Sequence, residues 1–387
     1  MNETHDTREP TRVPDTVVIG GGQAGLAIGF HLKREDRDFV ILDEQQRIGD
    51  AWRKRWDSLR LFTPARYDGL PGMRFPGDGL SFPTKDELAD YLEEYANRNA
   101  LPVRTGVRVD GVRREDGRFA ISAGDRRWTA ERVILTTGAF RDPRVPDFAR
   151  ELATSILQLH SADYRNPLQL QPGPVLVVGL GNSGAEIARE LSRTHPTSVS
   201  GIPGGELPVR HGRAAARLVF PAVRFIGLHV LSRGTPIGRR MLPKLATRAA
   251  PLIRTRRREL AAAGVVSVGR VTGVSDGLPV ADGRVLAVTN VIWCTGFRPD
   301  FSWLQVPAFD ETGRIRQWRG VVTSVPGLYV LGLDAMYSIN SESLPGTVRD
   351  AAYLARHIAA ERHLSATPPR TAPVPASSRH STAAHTA

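Results

Sequence analysis

Two kinds of hydrophobic pattern alternate along the first third of the chain. Short unbroken apolar runs read as buried strands, and stretches with apolar residues every three or four positions read as helices. Thr16 to Ile19 is the first such strand, followed by a glycine turn and a helix from about Ala24 to Lys33. Asp38 to Leu42 is the next strand and closes a β-α-β unit. Residues 47–83 are loop-rich and hold many of the aromatics and prolines. After Pro83, Thr84-Lys85-Asp86-Glu87 is a capping-box sequence that predicts a helix from Lys85 to Asn99. Alternating short strands then run from Val103 to Trp128 and end in the apolar run Arg132 to Leu135.

At Pro174 the plan starts again. Val175 to Val178 predicts a strand, Gly179 to Gly184 a glycine turn, Ala185 to Ser192 a helix and Thr197 to Gly201 a second strand. This internal repetition organises the whole sequence. Residues 212–263 form an arginine-rich amphipathic helical stretch, broken by Gly234 and Pro236. Strands return from Val265 to Val288, followed by the apolar run Val291 to Cys294. A strand from Leu328 to Leu331 precedes a helix from about Val348 to Arg362. The polar first 13 residues and the Pro-, Ala-, Ser- and Thr-rich stretch from Ser365 read as disordered.

Composition narrows the picture. The chain has 387 residues, enough for two or three domains, and a formal net charge of +12. That charge resembles a nucleic-acid signal, but it is nearly all arginine and is spread along the chain apart from the Arg254, Arg256, Arg257, Arg258 cluster. Anionic cofactors and substrates account for it, and no nucleic-acid partner is expected. Cys294 is the only cysteine, so the chain carries no dithiol pair and no cysteine zinc site, and no metal is expected. No apolar run approaches the ~20 residues that span a bilayer. A soluble cytoplasmic protein without a transmembrane segment is the expectation.

The first glycine motif, Gly20-Gly21-Gly22-Gln23-Ala24-Gly25, has the full context of a dinucleotide site. A strand precedes it, a helix follows, and Asp43 ends the next strand, where a carboxylate accepts hydrogen bonds from a ribose. Gly20 permits the tight turn, Gly22 admits a pyrophosphate and Gly25 lets the helix pack closely. The helix N-terminus then offers N–H groups to phosphate oxygens. Gly179-Leu180-Gly181-Asn182-Ser183-Gly184 repeats the arrangement. Two such units in one chain imply two dinucleotides and hydride transfer from a nicotinamide to a flavin. The second unit lacks an arginine at the end of its second strand, so Arg210, His211 or Arg213 are the candidates for a 2′-phosphate. NADPH is the expected donor, with NADH as the alternative.

Further motifs carry a family resemblance. Gly49-Asp50-Ala51-Trp52-Arg53, Leu59 to Pro64, Leu70-Pro71-Gly72-Met73 and Phe82 to Lys85 follow in order, then Thr136-Thr137-Gly138 and Trp293 to Phe297. The run resembles flavin-containing monooxygenases, especially bacterial members and the plant enzymes that oxidise indole-3-pyruvate, and covers roughly residues 14–362. By this resemblance Gly20, Gly22, Gly25, Asp43, Ala51, Trp52 and Thr63 match positions at the FAD, and Gln23 and Ala24 of the same turn are candidate contacts beside them. Gly179, Gly181, Asn182, Ser183 and Gly184 form the NAD(P)H turn. Thr137, Gly138, Thr295 and Gly296 are strand-end positions near the cofactors. Of the family's FxGxxxHxxxY fingerprint only His160 and Tyr164 survive, since Thr154 and Ile156 replace the Phe and Gly. His160 is expected as a structural link, and no catalytic side chain is assigned.

The expected architecture is α/β, with two Rossmann-like dinucleotide-binding domains of three-layer ββα form and the nicotinamide domain inserted into a discontinuous FAD domain. Its segments are 14–168 and 291–364 for FAD and 169–290 for the nicotinamide, with 212–263 as a lid or wall over the substrate pocket and a membrane-surface helix as the alternative for that stretch. The resemblance implies that NAD(P)H reduces FAD and that a flavin C4a-(hydro)peroxide passes one oxygen atom from O₂ to nitrogen, sulfur or activated carbon of a small molecule. The alternatives are a flavin reductase or oxidase feeding a quinone, metal or protein, and a flavoprotein kept for binding. A homodimer is left open.

Overall fold

A computed structural model describes residues 14–138, 142–202, 204–207, 209–245 and 250–366. The lead before residue 14 and the tail beyond 366 lie outside the described residues. The final helix runs Leu344–Ala366, past the expected start of the tail.

Two parallel sheets of five strands form the core, each built on one glycine-turn unit. In the first, the order is Leu328–Val330, Arg132–Leu135, Thr16–Ile19, Phe39–Leu42 and Val103–Arg104. In the second it is Val266–Val268, Thr197–Ser200, Val175–Val178, Asn290–Trp293 and Leu157–His160. Both place the strand that enters the glycine turn at the centre. This is the topology in which ligands bind beyond the carboxyl ends of the strands.

Strand alternation sorts the core into layers. On one face of the first sheet, Val18, Ile41 and Ile134 pack with Leu26, Ile28 and Leu32 of the first helix (Gln23–Arg34) and with Leu354 and Ile358 of the last. On the other face, Val17, Ile19, Val40 and Leu42 meet Val112, Phe119, Ile121 and Trp128 of an antiparallel meander. The second unit repeats this arrangement. Val175, Val177 and Ile292 face Ala185, Ile187 and Leu191 of its helix (Asn182–Leu191). Leu176, Val178 and Trp293 face Val271 and Ala281 of a three-stranded sheet. The expected three-layer ββα form is therefore present twice.

The sheets differ from the expected segmentation in two strands. Leu157–His160 and Asn290–Trp293 pair with one another, and the latter pairs with the central strand Val175–Val178. The expected division placed both in the first unit, apart from Asn290. Leu157, Gln158 and Leu159 are only half-buried at the sheet edge, so local hydrophobicity does not declare which sheet they join. Pro236 also differs from expectation: it opens the helix Pro236–Leu245, and the break falls just before it.

Candidate functional site

Both glycine turns have the same geometry. Gly20 has φ +112° and Gly179 φ +111°, a region that favours glycine. A Cβ on Gly25 would lie 1.9 Å from the Gly20 carbonyl oxygen, and one on Gly184 would lie 1.8 Å from that of Gly179. These glycines let each helix start directly against the turn. Gly22 and Gly181 are different, because a Cβ at either would have no protein atom within 4 Å. Each is the N-cap of its helix, and neither helix has a side-chain cap. The two turns therefore present uncapped helix N-termini beside open space, the arrangement that binds a pyrophosphate.

The neighbouring strand end closes each turn from behind. Thr136, which is buried, donates its hydroxyl to the carbonyls of Ile19 (2.8 Å) and Gly20 (2.7 Å). Cys294 occupies the matching place in the second unit, with its N–H on the Val178 carbonyl at 2.7 Å. Burial pushes its thiol up to about 12, so it serves as a small packing group and not as a nucleophile. Thr137 with Gly138 and Thr295 with Gly296 follow at equivalent positions. The Thr295 hydroxyl is spent on the Arg144 carbonyl, and the Gly296 carbonyl accepts from the Arg144 N–H at 2.9 Å.

Asp43 is buried at the end of the second strand, its carboxylate against Gly21. Burial raises its pKa, and the Gln45 N–H donated to Oδ1 at 3.1 Å pulls the other way. Gln23 opens the first helix and accepts from the Trp52 indole N–H at 3.3 Å, which brings Trp52 and the exposed Ala51 beside the first turn. Thr63 lies in the following loop and donates to the fully buried carboxyl of Asp68. Sequence reading missed Asp68, whose type and spacing look like any turn aspartate. It also missed Gly332, at φ +80°, where a Cβ would sit 3.0 Å from that of Ala24. The Gly332-Leu333-Asp334 turn after the last apolar strand was its available signal.

The second turn is covered by a loop. Asn182 donates to the Pro251 carbonyl (3.1 Å) and accepts from the Ile253 N–H (2.9 Å), so its amide holds residues 251–253 in place. Ser183 is partly exposed at the second position of the helix. Arg254 pairs with Glu186 at 2.9 Å and donates to the Arg60 carbonyl at 3.1 Å, joining this loop to the first unit. Burial lifts the Glu186 carboxyl to about 7 against the pull of Arg254. Arg254→Met should therefore cost about 2 kcal/mol, because it strands a buried acid. The deficit should deepen as pH rises from about 6 to 8, because loss of the Arg254 charge raises the Glu186 pKa further, so the variant goes on losing stability above about pH 7, where the wild type no longer does. Urea midpoints at both pH values check this, and an unchanged midpoint would remove Arg254 from the role.

The surviving fingerprint residues link the units. His160 accepts the Ala162 N–H at Nδ1 (3.1 Å), which leaves Nε2 to donate to the Gly296 carbonyl (3.1 Å). Burial lowers its pKa, so the ring is a neutral strut. The buried Tyr164 donates to Glu190 on the second helix at 2.8 Å. Tyr164→Phe should lower stability by about 1 kcal/mol, as for one lost intramolecular hydrogen bond. Its kcat should be unchanged, and a fall in kcat without loss of stability would contradict the linking role.

The helices of the 212–263 stretch pack on the loop of the first unit. His211 donates from Nε2 to the Phe62 carbonyl (3.0 Å), and its ring lies tilted against Phe82 with centroids 3.9 Å apart. Arg213 pairs with Asp78, and Arg66 donates to the Ala216 carbonyl. Two of the three candidates for a 2′-phosphate, His211 and Arg213, are thus committed across the units, while Arg210 is exposed. A cavity of about 410 Å³ opens beside this contact, lined in part by Arg66, Tyr67, Leu70, Met73, Arg224 and Val348.

Comparison with known proteins accords with this geometry. Residues 17–201 match the family model described as pyridine nucleotide-disulphide oxidoreductase. An "uncharacterized oxidoreductase CzcO-like" of Geobacillus kaustophilus (strain HTA426) is 39% identical over 349 residues, covering 89% of this chain and 98% of that one. The probable indole-3-pyruvate monooxygenase YUCCA7 of Arabidopsis thaliana is 26% identical over 89% of this chain and 87% of its own. Among solved structures, a double mutant of the flavin monooxygenase from Stenotrophomonas maltophilia superposes with a TM-score of 0.72 at 30% identity, covering 90% of this chain and 99% of that one. The chain is an oxidoreductase of the class B flavin monooxygenase-like family.

Proposed function

We propose that this protein is an NAD(P)H- and FAD-dependent monooxygenase acting on a small organic molecule. The observation that carries the reading is the paired glycine turn, with an uncapped helix N-terminus beside open space in each of two parallel sheets. The 30% identity to the S. maltophilia flavin monooxygenase, over nearly its full length, supports the oxygenating chemistry. FAD belongs to the first turn and NADPH, with NADH as the alternative, to the second. We divide the chain at Leu157 and Trp293, so that residues 157–293 form the nicotinamide unit and the flanking segments the FAD unit.

In this reading bound FAD supplies the redox and oxygen chemistry, and the polypeptide supplies place and shelter. The N–H groups at Gln23, Ala24 and Gly25 hold one pyrophosphate, and those at Asn182, Ser183 and Gly184 hold the other. Asp43 accepts from the ribose hydroxyls of the first dinucleotide. Trp52 and Thr63 flank the flavin, and Thr137, Gly138, Thr295 and Gly296 border the gap between the cofactors. The 212–263 stretch walls the gap against water, which protects reactive groups from hydrolysis. His160 transfers no proton, because both ring nitrogens are engaged with backbone.

The test is turnover of FAD-loaded protein with NADPH under ¹⁸O₂ in the presence of a thioether, a tertiary amine and a 2-oxo acid. One labelled oxygen atom in a product supports the monooxygenase. Quantitative peroxide release without label from any probe would favour an oxidase or reductase instead.

A further inference from the structure

The charge of this protein is concentrated where the sequence reading took it to be spread. Residues 207–258 hold 13 of the 52 Lys and Arg and none of the 40 Asp and Glu. That segment is therefore +13, and the rest of the chain, on a total of +12, is −1. Part of this charge is internal, since Arg213, Arg254 and Arg257 pair with Asp78, Glu186 and Glu206. The remainder is exposed on two helical runs, Arg213–Val230 and Pro236–Leu245, as Arg217, Arg224, Arg239, Arg240 and Lys244. Among the described residues, no ion pair is formed by Arg217, Arg224, Arg239 or Arg240.

The same runs expose large apolar side chains. Leu218 is 74% exposed, Phe225 58%, Ile226 46%, Ile237 57% and Met241 38%. They are not the inward face, because Ala216, Phe220, Leu228 and Leu242 of the same runs are buried. Leu218 and Phe225 are seven residues apart, and Ile237 and Met241 four, so each pair shares one side of its helix. Every one of the five has an exposed cation beside it or two residues away. Outward apolar side chains ringed by arginine are the pattern of a helix that lies in a membrane interface.

We infer that this face docks the protein on an anionic lipid surface. Charge selects an anionic partner, with arginine drawn to a negatively charged leaflet. The apolar side chains select lipid over nucleic acid, whose phosphates have no use for exposed Leu, Ile and Phe. A second copy of this chain would bring +13 against +13. Docking would be peripheral, as no helix among the described residues is long and apolar enough to cross a membrane.

The experiment is flotation of FAD-loaded full-length protein with vesicles of phosphatidylcholine alone or mixed with phosphatidylglycerol. Leu218→Ser/Phe225→Ser/Ile237→Ser removes exposed apolar groups only, and its flavin content and melting temperature serve as controls for folding. Binding to the mixed vesicles should exceed that to the neutral ones by at least about tenfold and fall with salt. The triple variant should lose about tenfold at constant salt. Absence of binding to anionic vesicles overturns the inference. So does binding that the triple variant retains in full, or a duplex DNA that binds wild type and triple variant equally well and displaces the vesicles, which would mark a polyanion site.

Discussion

Gly181→Ala should give a folded, yellow protein that NADPH no longer reduces, whereas Gly22→Ala should give a folded protein that no longer retains FAD. Both substitutions add a methyl group into space that holds no protein atom within 4 Å, so neither should disturb the turn itself. Both backbones also lie at negative φ, −91° and −76°, which any residue adopts. The only object the methyl can meet is a ligand drawn against the helix N-terminus, and a pyrophosphate there leaves no room for it. A loss of at least about 100-fold in affinity, or about 2.7 kcal/mol, is expected for each cofactor. Flavin content per polypeptide, and the rate of anaerobic flavin bleaching by NADPH, separate the two outcomes. Should Gly181→Ala release flavin while leaving reduction of the remainder intact, the assignment of the turns would be reversed.

This asymmetry among glycines shows what a sequence can convey. The motif spacing marked Gly20, Gly22 and Gly25, and their partners from Gly179, because turn, helix start and strand end are local features. The capping box at Thr84 was equally legible, and both its hydrogen bonds form. Sheet membership was not, because Leu157–His160 meets Asn290–Trp293 across 130 residues of chain. A short, half-buried edge strand carries no local mark of its partner. For the same reason the sequence did not reveal what the Asn182 side chain does: its backbone N–H is proposed for the pyrophosphate, while its amide holds Pro251 and Ile253, about seventy residues away in sequence.

The unit-to-unit connections extend the point. Phe297–Arg298 pairs with Asp142–Pro143, so the two chain crossings between the units run together. His160 and Thr295 tie that crossing to its neighbours, and Tyr164 and Arg254 secure the second helix and its covering loop. The half of the fingerprint that survives is thus the half that builds this junction. A family pattern records these residues as strongly as it records cofactor contacts, and only their bonding partners tell the two apart.

Asp68→Asn should stabilise the protein in alkaline solution by up to about 5 kcal/mol, with little change below about pH 4. The Asp68 carboxyl is fully buried, takes one hydrogen bond, from Thr63, and leaves Oδ2 without a partner. Burial lifts its pKa to about 8, from 3.8 in the open chain. Between those values the folded protein keeps a proton that the unfolded chain releases, so stability falls as pH rises through the interval. Asparagine has nearly the same shape and can still accept from Thr63, but it has no proton to lose, so this part of the pH dependence should vanish. Thermal melting of both proteins from about pH 5 to 9 checks the prediction. Two curves of equal slope would show that Asp68 is ionised in the folded state. The contrast also bears on the flavin, because Thr63 is proposed to flank it. An acid that stays neutral until about pH 8 keeps a negative charge away from that side of the cofactor, and the substitution removes this safeguard's pH limit without removing the hydroxyl that it orients.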